Sequence, residues 1–108
     1  IKRIIMNTDE KEIPEYALEL IPVDENAKNN RIFSKHCWKE LGKRFKIGGK
    51  PSFIQDPEYP RCPYCQKDMI FYAQLDTVSD KYDIGDSGLI YVFYCFDCNE
   101  AKAIVQSY

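Results

Sequence analysis

Cys62-Pro63-Tyr64-Cys65 and Cys95-Phe96-Asp97-Cys98, with 29 residues between Cys65 and Cys95, are the stretches that decide how this chain folds. A two-residue spacer lets one tight turn present two sulfurs to a single ion. Two such turns supply the four soft ligands that tetrahedral Zn²⁺ takes at about 2.3 Å. The spacing predicts a structural zinc site made of Cys62, Cys65, Cys95 and Cys98. Catalytic zinc usually keeps one position open, whereas all four places are filled here. Two disulfides are the main alternative and would suit a secreted protein. Against them, the chain has five cysteines, an odd number, and its 44% hydrophobic content can build a core without covalent staples. Redox or iron-sulfur roles are a lesser alternative: a thioredoxin-like pair needs only one such motif, at a strand-to-helix junction.

Working outward, each cysteine pair sits between runs of strand character. Segments near 52–55 and 69–75 flank the first pair, and segments near 89–94 and 101–107 flank the second, so each turn reads as the tip of a hairpin. Leu89 to Tyr94 is the most β-prone run and is expected to be a central strand covered on both faces. Asn99, just past the last cysteine, tolerates the left-handed backbone that such turns need. Residues 1–6 and 16–21 are two further strand candidates, the second bounded by Pro14 and Pro22. From 31 to 44 a helix is expected, because Phe33, Cys37, Leu41 and Phe45 recur every four residues beside Arg31, Lys35, Lys39 and Lys43. The fold class is therefore α+β, mainly antiparallel β, with zinc-ribbon-like hairpins clamped by a four-cysteine site and one helix in the N-terminal half. The 108 residues read as a single zinc-binding domain, and the start at Ile1 suggests a fragment of a longer protein.

Charge is distributed unevenly. Seven Lys or Arg against one acidic residue give the window 31–50 a net +6, which leaves −8 on the rest of a chain whose total is −2. That total is not the charge of a general nucleic-acid binder. The window is either a solvated face or a surface that steers an acidic partner. Its candidate contact residues are Arg31, Lys35, Trp38, Lys39, Lys43, Arg44 and Lys46. Gly48-Gly49-Lys50 invites a phosphate-loop reading, but Pro51 follows where Ser or Thr is required. Asp83, Gly85, Asp86 and Gly88 supply turn chemistry rather than a calcium loop. No apolar run is long enough to span a bilayer, and free thiolates persist as ligands where disulfides are disfavoured. The expectation is a soluble, cytoplasmic protein.

Three ordered motifs resemble the YwqG-like family of bacterial proteins: Gly48-Gly49-Lys50-Pro51-Ser52-Phe53-Ile54-Gln55; Met69, Phe71, Gln74 and Asp76; and Gly85-Asp86-Ser87-Gly88 running to Tyr91 and Phe93. Members of that family are longer, so the likeness is to a carboxy-terminal portion, and many lack the cysteine pairs. The family is similar to the programmed-cell-death-2 proteins, which implies an escort-like role toward another protein; the resemblance implies no catalytic residue.

The leading expectation is a non-enzymatic protein-interaction module with structural zinc. Nucleic-acid binding through the basic window, with Trp38 stacking on bases, is the alternative. A general-base role for His36, the single histidine, is weaker again, because no partner for it is legible.

Overall fold

The computed structural model describes residues 12–23 and 42–108. Four strands form one antiparallel sheet in the order β1 (Lys46–Ile47), β2 (Ile70–Asp76), β3 (Leu89–Cys95) and β4 (Glu100–Gln106). The two long β-branched and aromatic runs become β2 and β3, and the second cysteine turn joins β3 to β4 as a hairpin closing at Cys95 opposite Glu100. A single 3-10 turn, Asp80–Tyr82, lies in the β2–β3 connection. Among the described residues no helix is long and apolar enough to cross a membrane.

Alternation along β3 sends Leu89, Tyr91, Phe93 and Cys95 inward, where they are buried with Phe53, Cys62, Met69 and Phe71. In β2 the register slips between Phe71 and Ala73, a bulge centred on Tyr72. An unbroken strand turns residues three apart to opposite faces. The extra residue instead lets Phe71 and Gln74 both face the core.

Several expectations need correction. Residues 52–55 form no strand. Their backbone is held by side chains rising from the sheet: Ser52 N donates to Gln74 Oε1 (3.0 Å), Ile54 N to the Tyr91 hydroxyl (3.2 Å) and Gln55 N to Gln106 Oε1 (2.8 Å). In return, the Tyr91 hydroxyl donates to Ser52 O (2.8 Å) and Gln106 Nε2 to Asp56 O (2.8 Å). A row of polar side chains thus replaces a ladder, and burial raises the Tyr91 phenol to about 12. Only the bridge Arg61↔Asp68 flanks the first cysteine turn, so it is not the tip of a two-strand hairpin.

Residues 16–21 carry no regular secondary structure either. The strand expected over 1–6 and most of the helix expected over 31–44 lie outside the described residues. Of the last three positions of that helix, Gly42 is a turn and Lys43 and Arg44 carry no regular structure, and no α-helix occurs among the described residues. Among the described residues the core packs against one face of β3, and on the other face Ile90, Val92 and Tyr94 are half-buried.

Candidate metal centre

Each cysteine turn is shaped by a residue in left-handed backbone immediately after its second cysteine: Gln66 (φ 64°) and Asn99 (φ 55°). In the first turn Gln66 N donates to Cys62 O and Cys62 N to Lys67 O, both at 2.9 Å. This curls the loop so that Cys62 and Cys65 point to one side. In the second, β3 delivers Cys95 at its end and the turn brings Cys98 back beside it. Lys67 and Asp97 link the two turns at 3.6 Å, an exposed pair of small energetic value.

All four Sγ atoms lie within 4.8 Å of one another, with Cys65 and Cys95 at 3.7 Å. Four sulfurs about 2.3 Å from a tetrahedral ion stand about 3.8 Å apart. A disulfide requires about 2.05 Å, and all four cysteines are free thiols. Cys62 and Cys95 are buried while Cys65 and Cys98 are half-buried, so the cluster closes the bottom of the core. The donor set fits a metal ion in another respect. A hydrogen bond from the Cys65 backbone, followed by one from Tyr64, draws the Cys62 thiol down to about 7. Its hydrogen bond with Cys62, together with burial, pushes Cys98 up to about 12. The four thiols cannot all become thiolates together unless a cation balances them.

Among the described residues of the basic window, the cations do not share one exposed surface. Arg31, Lys35, Trp38 and Lys39 lie outside the described residues. Lys43 is exposed, and Lys46 is half-buried in β1. Arg44, expected to meet a partner, is 1% exposed and belongs to the core. Its Nη2 reaches Asp76 Oδ1 at 2.6 Å and Ser87 O at 3.0 Å, and its Nε lies 3.1 Å from both Asp76 oxygens. Burial alone would lower the Arg44 pKa; the hydrogen bonds and charge of Asp76 outweigh it and leave it raised. Asp76 Oδ2 also accepts the backbone N–H groups of Gly42 (2.9 Å) and Arg44 (2.8 Å), while Gln74 Nε2 donates to Arg44 O (2.8 Å).

This second centre draws on each of the three motifs singled out in the sequence. Gln74 and Asp76 come from the second, Ser87 from the third, and Gln74 ties the first through Ser52. Sequence reasoning missed it. Its signal was two polar residues, Gln74 and Asp76, in a β2 strand that is otherwise apolar.

Over 61 residues, 56% of its length, the chain is 38% identical to the uncharacterized protein YpfL of Salmonella typhimurium (strain LT2). Those residues make up 14% of that protein. No family model matches the chain, and no solved structure matches it.

Proposed function

We propose that this chain is a zinc-stapled, non-enzymatic protein-interaction module, in which the metal fixes two loops and the surface around them meets another polypeptide. The convergence of four thiols within 4.8 Å carries the reading, since an ion held by all four has no coordination site left for a substrate. Sulfur-only tetrahedral sets take zinc or iron, and the staple role suits redox-inert zinc. Likeness to YwqG-like motifs supports an escort-like, cytoplasmic role. Zinc-edge X-ray absorption on the purified protein tests the site: the reading requires four sulfurs at about 2.3 Å, and an oxygen or nitrogen ligand contradicts it. Affinity capture tests the role, comparing the natural chain with one carrying Lys35→Glu, Lys39→Glu and Lys43→Glu. A protein partner lost on charge reversal is expected. Capture of RNA or DNA with steep salt dependence, or turnover of a substrate, contradicts it.

A further inference from the structure

Each turn of the metal centre is shaped by backbone contacts as well as by sulfur. In the first, the bonds from Gln66 N to Cys62 O and from Cys62 N to Lys67 O are joined by one from Met69 N to Pro60 O, all at 2.9 Å. In the second, Cys95 pairs with Glu100 where the β3–β4 hairpin closes. Lys67 and Asp97 face each other between the turns at 3.6 Å. These contacts hold the turns side by side in addition to any shared ion.

Burial within the cluster is uneven. The first cysteine of each pair is buried, Cys62 at 0% exposure and Cys95 at 7%, whereas the second, Cys65 or Cys98, is half-buried. A small oxidant therefore reaches Cys65 and Cys98 ahead of the other two. Cys65 Sγ also stands 3.7 Å from Cys95 Sγ on the other turn. A disulfide needs about 2.05 Å, so the two sulfurs have less than about 2 Å to close.

Which sulfurs join decides what the bond does. A disulfide inside one pair, Cys62 to Cys65 or Cys95 to Cys98, leaves the turns with no sulfur link to each other. One from Cys65 to Cys95 closes the 29 residues between them into a loop and fastens the same two turns that an ion would.

We infer that the thiol cluster is a peroxide-responsive staple, in which hydrogen peroxide oxidises Cys65, Cys95 resolves it across the turns, and the disulfide takes over the clamp from the metal. The inference rests on the metal-staple reading above, in which the ion holds its ligands as thiolates. The Cys65 thiolate attacks a peroxide oxygen, the O–O bond breaks, and the departing hydroxide takes a proton from solvent to become water. Cys65 is then a sulfenic acid. The Cys95 thiolate attacks its sulfur, the S–O bond breaks, and a second hydroxide leaves as water after taking another proton. Two thiolates lose two electrons in all, the peroxide gains them, and the ion is left with two of its four ligands.

Titration of the reduced, zinc-loaded chain with hydrogen peroxide tests this. A coloured chelator reads zinc release, and mass spectrometry of non-reduced proteolytic peptides reads the linkages. The expected result is loss of bound zinc in step with a peptide joining Cys65 to Cys95, an unchanged β circular dichroism signal, and recovery of zinc binding after reduction. Cys37→Ser, which removes the fifth thiol, should behave identically. Disulfides confined to Cys62 with Cys65 or Cys95 with Cys98, a linkage to Cys37, arrest at sulfinic acid, or unfolding on oxidation would each overturn the inference. Zinc content before treatment separates its failure from that of the staple. A metal-free starting protein sinks both, whereas a zinc-loaded protein that keeps its ion through several equivalents of peroxide overturns this inference alone.

Discussion

Asp76 shows how one side chain can organise a region that the sequence leaves looking like a loop. It accepts two backbone N–H groups and a forked guanidinium while buried, so removing its charge strands Arg44 in the core. Breaking one half of a buried pair costs about 3–5 kcal/mol, and Asp76→Asn is expected to lower unfolding stability in urea by that order. Gly88 is fixed by space instead. A Cβ there would stand 2.4 Å from Ile84 O and 2.6 Å from Gln106 O, both backbone, so Gly88→Ala must displace the β3–β4 hairpin from its loop. Loss of the folded state at ambient temperature, seen by circular dichroism, is the expected outcome. At the metal centre the sign of the pH effect follows from Cys62. A thiol pKa lowered to about 7 means that its contribution is present above the ordinary thiol range and is lost as pH falls through about 7. Cys98, raised to about 12, must surrender a proton to any ion that binds. Competition with a coloured chelator should therefore show zinc affinity falling steeply between about pH 8 and about pH 6.

At the scale of elements, the long strands and the second cysteine turn were legible because their signals are local: alternation, β-branched and aromatic content, and a residue at 99 that accepts positive φ. The first turn was harder to read. Gln66 has the same backbone as Asn99, with φ 64°, but a glutamine does not announce it. Gln66→Val is expected to cost about 1–2 kcal/mol in thermal unfolding, since a β-branched residue pays most for left-handed backbone. Residues 52–55 read as a strand because their apolar pattern suits one. What the pattern could not reveal is that Gln74, Tyr91 and Gln106 occupy their hydrogen-bonding groups from below. These are long-range contacts, 22 to 51 residues apart in sequence, and no local rule encodes them. The bulge at Tyr72 escaped for the same reason: its cause is the need to bury both Phe71 and Gln74. Arg44 was misassigned because a basic run was read by composition, and composition does not tell a solvated cation from one paired in the core.

Across the whole molecule, two centres hold opposite ends of one sheet. The four sulfurs fasten the end where β3 runs into β4, and the Arg44–Asp76 pair fastens the end where β2 and β3 separate. Between them the core is small, eight buried hydrophobic residues among those described, and a domain of this size gains much of its stability from a structural metal. The candidate site was readable from spacing alone because a metal imposes its geometry on the sequence directly, ligand by ligand. The polar centre was not, since it is assembled from three stretches that only folding brings together. The proposed role rests on a single metal ion held by sulfur from both turns, and elemental analysis by plasma mass spectrometry of the reduced, purified protein tests this most directly. Near-stoichiometric zinc, lost together when Cys62→Ser or Cys98→Ser removes one ligand, is the predicted result. A protein that is folded and metal-free, or one that retains its full zinc content in both variants, would contradict it.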